Sequence, residues 1–246
     1  MKATIKFKTS GTLVGNLFPN ASFAFEKRDT VVEVGFTVES FKNLAWLGGG
    51  GYDLLAFYVY NVCFRNSGGQ AIRGTYCPVV FENLADPILS GREELGYPKI
   101  FSDIEIDQRN GLYRAKVSWR GQEWADFEWK GLQDQDLAHP SQINEQEPGL
   151  IVHKYIPATD REQRGKADVE YTVFIPHDGK ASKTVSTQIS KPADVAFKIN
   201  DLGPVKLPTL HHVVSRIAEL PVFEVLEGGV STCQGVPNLS GAQRIS

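Results

Sequence analysis

Alternation of apolar and polar residues dominates this sequence and limits the folds open to it. Alternating segments, each bounded by Gly, Asn, Pro or Asp, occur at residues 3–8, 22–26, 30–38, 75–82, 101–107, 112–119, 123–129, 150–156, 167–175, 184–190 and 194–199. A two-residue period puts neighbouring side chains on opposite faces of a strand. The sequence therefore predicts a β-dominated α+β fold in which short strands follow one another along the chain.

Three further patterns refine this prediction. Residues 52–64 form an almost uninterrupted apolar run, which is too short to span a membrane and predicts a strand buried on both faces. Asn110-Gly111 is a strong hairpin signal between two of the alternating segments. Only residues 209–220 show clear helical spacing, between Pro208 and Pro221, so one main helix is expected near the C-terminus.

The length of 246 residues and the even composition indicate one domain over residues 1–228. Residues 229–246 are small and polar and predict a flexible C-terminal tail. Many strands that each keep an apolar face need two packed sheets or closure into a barrel, and a barrel of that size can enclose a ligand cavity. Residues 39–46 favour one or two helical turns, and the four glycines at 48–51 favour a flexible turn or a close approach of the backbone.

Composition excludes several classes of function. The net charge is −3 and the basic residues are scattered, which argues against nucleic acid as a partner. Cys63, Cys77 and Cys233 show no spacing typical of metal ligands, so we expect reduced thiols, no metal and no cofactor. Residues 1–11 contain lysines but no apolar segment typical of a signal peptide, and no run of about 18 apolar residues occurs in the sequence. We therefore expect a cytoplasmic protein that does not bind membranes.

Residues 90–101, with the sequence S-G-R-E-E-L-G-Y-P-K-I-F, are the best candidate for a functional site. Pro98 fixes its own φ and restricts Tyr97 to extended conformations, so the backbone before Lys99 has few choices. An amine attacks carbonyl groups only as the neutral base, which burial or a neighbouring cation favours. Lys99 is therefore a candidate nucleophile, and the alternative is a solvated surface lysine in a charged loop.

The motif G-R-E-E-L-G-Y-P-K resembles that of the acetoacetate decarboxylase family, in which the lysine after Tyr-Pro forms a Schiff base with a β-keto acid. Acetoacetate decarboxylase is also a standard example of lysine activation. Variants in microbial secondary metabolism share this motif and W-L-G-G-G-G-Y nearly as they stand here. The resemblance implies a curved, cone-like antiparallel sheet or barrel, catalysis by Lys99 and a homo-oligomer.

The same resemblance supplies roles for other residues, each with an alternative. Arg28 would hold a substrate carboxylate, or it belongs to a solvated turn. Glu93 would shuttle protons and Arg92 would contact substrate, although a structural pair between the two is favoured. Tyr97 would donate a proton to the imine or carbinolamine, or it packs against its neighbours.

The sequence departs from the family pattern at two places. Ile100 stands where the decarboxylase has a second lysine, so desolvation by Ile100, Phe101 and residues 52–64 is expected to make Lys99 reactive. Asn66 stands where the family has a glutamate, and the family's other cavity glutamate has no counterpart near residues 56–57. Glu82, at the end of a predicted strand, is the candidate that replaces the missing carboxylate.

These residues together predict a Schiff-base lyase that acts on a small carbonyl compound. A protonated imine accepts the electrons of a neighbouring bond, so it supports decarboxylation, aldol cleavage, dehydration and cyclisation. The missing glutamates lead us to expect a β-keto acid or a polyketide-like substrate larger than acetoacetate. The alternative is a barrel that binds a hydrophobic metabolite without turnover.

Overall fold

A computed structural model describes residues 1–27, 29–109, 111–135, 148–177, 182–236 and 239–246. The strands are β1 Lys2–Ser10, β2 Phe23–Phe25, β3 Val31–Leu44, β4 Gly50–Arg65, β5 Ala71–Glu82, β6 Lys99–Phe101, β7 Asp103–Arg109, β8 Leu112–Trp119, β9 Gln122–Trp129, β10 Gln133–Asp134, β11 Gly149–Pro157, β12 Ala167–Pro176, β13 Ser182–Ser190, β14 Val195–Ile199, β15 Glu224–Gly235 and β16 Gln243–Arg244. The α-helices are α1 Gly11–Gly15, α2 Ala85–Ser90, α3 Gly203–Lys206 and α4 His211–Ala218.

A large curved sheet forms most of the molecule, as the alternating pattern predicted. Its strand order is β10-β13-β15-β1-β3-β4-β5-β11-β12-β16, with β2 beside β4 and β6 beside β5. Most pairs are antiparallel, whereas β11 and β6 both run parallel to β5. The apolar run in β4 is explained by its position, because its alternate side chains enter two separate apolar clusters on opposite faces of the sheet.

A smaller sheet, with the order β14-β9-β8-β7, covers one face of the large sheet. Its inward side chains include the fully buried aromatic residues Tyr113, Trp124, Phe127 and Trp129. The indole nitrogen of Trp129 donates a hydrogen bond to the carbonyl of Thr4 in β1 at 2.9 Å, which joins the two sheets. The predicted helix is confirmed as α4, which buries Val214 and Ile217.

Two parts of the chain differ from the expectations, whereas the predicted glycine turn is present. Residues 39–46 continue β3 to Leu44 and form only a 3₁₀ turn, because Phe41 pairs with Tyr52 across the hairpin. Gly48 and Gly49 close that hairpin with positive φ angles of 62° and 89°, which favour glycine. Residues 224–235, which overlap the predicted flexible tail, form β15 between β1 and β13. Gly229 fits there because a Cβ would lie 2.8 Å from the carbonyl oxygen of Gln188.

Candidate active site

Lys99 begins β6, and its backbone is fixed from both sides. Val80 N–H in β5 donates to the carbonyl of Pro98 at 3.1 Å, and Lys99 N–H donates to the carbonyl of Tyr97 at 2.8 Å. In the parallel pairing of β5 with β6, Lys99 lies opposite Val80, and the next residue, Ile100, lies opposite Phe81. Because neighbouring residues of a strand face opposite sides, Lys99 lies on the face opposite the small sheet. Its side chain is 12% exposed.

The Lys99 ammonium has two oxygen partners. Its Nζ lies 2.8 Å from Oε1 of Glu82 and donates a hydrogen bond to the carbonyl of Pro87 at 3.0 Å. The same Nζ lies 5.4 Å from the ring centroid of Tyr97, within the range of a cation–π contact. The ammonium is therefore held between a carboxylate, a backbone carbonyl of α2 and an aromatic face.

Glu82 is completely buried at the end of β5. Burial raises the pKa of the Glu82 carboxyl above its ordinary value, and the neighbouring Lys99 ammonium opposes this shift. Within the described part of the chain, Oε2 of Glu82 has no hydrogen-bond partner. The carboxyl group is therefore well suited to exchange a proton with Lys99 or with a bound molecule.

The backbone over Lys99 is helical. A turn of π-helix, Gly91–Leu95, continues α2 and ends at Gly96, whose φ is 76°. A Cβ on Gly91 would lie 2.6 to 2.7 Å from Cε, Cδ and Nζ of Lys99, so any larger residue here would have to displace the end of the lysine side chain. Arg92 Nη1 donates to the carbonyl of Lys99 at 3.0 Å, which ties the turn to β6.

An apolar cluster surrounds this pair on the same face of the large sheet. Its buried members are Leu54, Ala56, Cys77, Val80, Val152, Val173 and Ile175. Burial raises the pKa of the Tyr97 phenol, and it raises that of the Cys77 thiol to about 12, so both groups are protonated near neutral pH. The predicted desolvating pocket is wrong in part, because Ile100 packs into the opposite core and Phe101 is 44% exposed.

The structure separates the other predicted site residues. Glu93 is exposed, and among the described residues no ion pair joins it to Arg92, which binds a backbone carbonyl instead. Asn66 closes the β4–β5 hairpin through Gln70, at the opposite end of β5 from Glu82. The strand length puts these ends about 35 Å apart, so Asn66 does not reach Lys99. Arg28 lies outside the described residues.

Lys154 in β11 also contacts the Gly91–Leu95 turn, although no sequence motif indicates it. This lysine is only 9% exposed, and its Nζ donates to the carbonyl of Glu93 at 2.7 Å. It lies on the same face as Val152, two residues earlier in the strand, and therefore on the face that carries Lys99. Because β11 carries apolar residues on both faces, the alternation of its sequence does not indicate on which face of the sheet Lys154 lies.

A cleft of about 450 Å³ opens elsewhere, at the end of the β3–β4 hairpin. It is lined by residues that include Phe41, Tyr52, Asp53, Asn83 and Tyr113, and Lys99 is not among them. Asn83 follows Glu82 directly, so the cleft adjoins the site without containing its reactive pair. In the described ranges, no group of three His, Cys, Asp or Glu side chains could hold a metal ion. No described helix is long and apolar enough to cross a membrane.

Comparison with known proteins finds one family over nearly the whole chain. The sequence model of the family described as Acetoacetate decarboxylase (ADC) matches residues 3–234. A search of curated protein sequences finds no match. Among solved structures, one described as structural studies of acetoacetate decarboxylase has a TM-score of 0.70 at 14% identity, covering 99% of this chain and 86% of that one.

Two other solved structures share the fold with a similar TM-score and a similar sequence identity. The enduracididine biosynthesis enzyme MppR, complexed with pyruvate, has a TM-score of 0.69 at 14% identity and covers 100% of this chain and 88% of its own. The acetoacetate decarboxylase of Legionella pneumophila has a TM-score of 0.69 at 13% identity, covering 100% of this chain and 84% of that one.

Proposed function

The chain belongs to the acetoacetate decarboxylase family, and from that premise we propose that it is a lyase whose Lys99 forms an imine with the carbonyl carbon of its substrate. The observation that carries this proposal is the buried pair of Lys99 and Glu82, 2.8 Å apart, on an apolar face of the sheet. Such a pair is costly to bury and is typical of a site that moves protons.

Activation of Lys99 begins with a proton transfer. The ammonium passes a proton to the Glu82 carboxylate, which leaves a neutral amine beside a neutral carboxylic acid in an apolar environment. Burial favours this arrangement because it removes both charges, and the raised pKa of Glu82 acts in the same direction. The Tyr97 ring lies near enough to stabilise the cation when Lys99 or its imine is protonated.

The reaction then follows from the chemistry of an imine. The amine adds to the ketone, and the Glu82 acid returns its proton as the carbinolamine loses water, giving a protonated imine and a carboxylate. In a β-keto acid the bond to the carboxylate breaks, CO2 leaves, and the electron pair moves to the iminium nitrogen as an enamine. Protonation of the enamine carbon and hydrolysis release the ketone and regenerate Lys99.

The same intermediate supports aldol, dehydration and cyclisation reactions. The structures of MppR, one holding pyruvate and one the condensation product of pyruvate and imidazole 4-carboxaldehyde, are examples of carbonyl compounds on this fold. We propose a β-keto acid or a larger polyketide-like carbonyl compound as substrate, because the family's second cavity glutamate has no counterpart near residues 56–57. The expected homo-oligomer stays a prediction.

The alternative function is a module that binds a hydrophobic metabolite without turnover. A purely apolar ligand gains nothing from a buried ammonium and carboxylate, since both groups lose hydration when they are covered. The pair of Lys99 and Glu82 therefore favours the enzyme.

A turnover assay with acetoacetate tests the proposed reaction and substrate. CO2 release is followed with the wild type, Lys99→Met and Lys99→Arg, alongside larger β-keto acids. We expect slow or undetectable CO2 release from acetoacetate, faster turnover of a larger acid, and no turnover by either variant, because a guanidinium does not form a carbonyl imine. Rapid decarboxylation of acetoacetate would refute the larger substrate, and an active Lys99→Arg enzyme would refute the imine.

A further inference from the structure

Two lysines are held on the same face of the large sheet, under the same helical turn. Lys99 contacts Gly91 at the start of the Gly91–Leu95 turn, and Lys154 donates its Nζ hydrogen to the carbonyl of Glu93 at 2.7 Å. A Cβ on Gly96, at the end of the turn, would lie 3.0 Å from Cβ of Lys154. Residues two apart in a helical turn lie roughly 5 Å apart, so the two lysines contact neighbouring parts of the same turn.

The two lysines differ in their charge balance. Lys99 has the Glu82 carboxylate at 2.8 Å. Lys154, which is 9% exposed, has no carboxylate within 4.0 Å in the parts of the chain that are described. Its neighbours are the Glu93 carbonyl and the ring of Tyr171, whose centroid lies 5.8 Å from its Nζ. The guanidinium of Arg244 lies 4.6 Å from the centroid of the same ring and adds a second positive charge.

A buried ammonium without a counter-ion is unfavourable, because its lost hydration is only partly replaced by one carbonyl and one aromatic ring. An anionic group on a bound molecule would supply the missing charge and accept the remaining N–H bonds of Lys154. The Lys99 ammonium does not compete for that anion, because the Glu82 carboxylate already balances its charge. The face thus presents a reactive amine and, across the turn, a cation without a partner.

We propose that Lys154 binds the acidic group of the substrate, so that the substrate is a keto acid whose carboxylate contacts Lys154 while its ketone meets Lys99. Only the part of this inference that places the ketone at Lys99 rests on the proposed function. It assigns a substrate-binding role to a residue that the motif does not contain.

The test compares an acid with its neutral ester of the same carbon skeleton. Acetoacetate and methyl acetoacetate are each incubated with the protein at increasing concentration, the imine is reduced with borohydride, and the half-maximal trapping concentration is measured. In Lys154→Met we expect this concentration to rise about 10- to 100-fold for acetoacetate, the worth of a hydrogen bond to a charged group, and to change less than about 2-fold for the ester.

Three controls keep the result interpretable. Lys154→Arg, which keeps the charge, is expected to retain most of the preference for the acid, and Lys154→Gln serves if the Met variant does not fold. Lys116→Met, at an exposed surface pair, should change neither value. Equal losses for acid and ester would show that Lys154 only positions the turn, and no loss for either would leave it without a role. Both outcomes overturn the inference.

A separate measurement distinguishes failure of this inference from failure of the proposed function. 3-Hydroxybutyrate has the carboxylate but no ketone, so it cannot form an imine, and its binding is measured by calorimetry. We expect binding to the wild type and a loss of about 10-fold or more in Lys154→Met. If trapping at Lys99 fails but this binding depends on Lys154, the imine is wrong and the acid site stands. If trapping succeeds but the binding is insensitive to Lys154, the reverse holds.

Discussion

Replacement of Lys99 by methionine removes one half of a buried ion pair, and its effect on stability follows from the geometry. The variant keeps a similar length of side chain but leaves the Glu82 carboxylate, which is fully buried, without its partner at 2.8 Å. Breaking a buried pair in this way costs about 3–5 kcal/mol. For a chain of this size that corresponds to a fall in Tm of roughly 6–20 °C at pH 8.

The loss should depend on pH in a defined direction. The pKa of Glu82 is raised in the folded protein by burial, and removal of the opposing Lys99 charge raises it further. A carboxyl group with a raised folded pKa gives its full stabilisation below the unfolded value, about 4.3, and loses it as pH rises through the folded value. The Tm of Lys99→Met relative to wild type should therefore recover steadily from pH 8 to pH 5.

Thermal denaturation across that pH range, followed by circular dichroism, measures the effect. In the double variant Lys99→Met with Glu82→Gln the buried charge is gone, so the pH dependence should be lost and the Tm at pH 8 should rise. Lys116→Met is the matched control, because its partner Glu123 is 2.7 Å away in an exposed pair, which is worth at most about 1 kcal/mol. A Lys99→Met protein as stable as wild type at pH 8, with no pH dependence, would refute the reasoning.

Two further predictions concern the same pair. Glu82→Gln should lower kcat about 10²- to 10⁴-fold, because the group that exchanges protons with Lys99 is lost. In the same steady-state assay the control Glu93→Gln, on the exposed side of the turn, should keep kcat within about 2-fold of wild type. Similar losses in both variants would contradict the assignment of Glu82. Gly91→Ala should lower kcat up to about 10²-fold by displacing Lys99, with little loss of Tm because the φ of Gly91 is −65° and suits alanine. Gly15→Ala is the control, because there is room for a Cβ at that position. Full activity of Gly91→Ala would mean that the contact with Lys99 is unimportant.

Local pattern was sufficient to predict most of the fold. Strands such as β8, Leu112–Trp119, and the helix α4 follow from periodicity, because each buries one face against the rest of the protein. The strand β15 was missed because its glycines look like a loop in the sequence. Gly228 and Gly229 are in fact needed by close packing, since a Cβ on Gly228 would lie 2.5 Å from Cγ2 of Val195.

The site was predictable only where residues adjoin in sequence or in the strand register. Glu82 was placed correctly near Lys99, because β5 leads directly into the segment that carries the motif and pairs with β6. Asn66 was misplaced because alignment to a motif carries no information on which end of a hairpin a residue occupies. Lys154 could not be found by either route, since it contacts the Gly91–Leu95 turn from β11, which is distant in the chain and runs parallel to β5.

Mass spectrometry of the borohydride-reduced adduct tests the central claim most directly. The wild-type protein is incubated with acetoacetate, reduced and digested, and the modified peptide is sequenced. The imine mechanism predicts a reduced adduct on Lys99 that is absent from Lys99→Met and Lys99→Arg, although Lys154 lies on the same face of the sheet. An adduct on Lys154 or another lysine, or an adduct that persists in both variants, would contradict it.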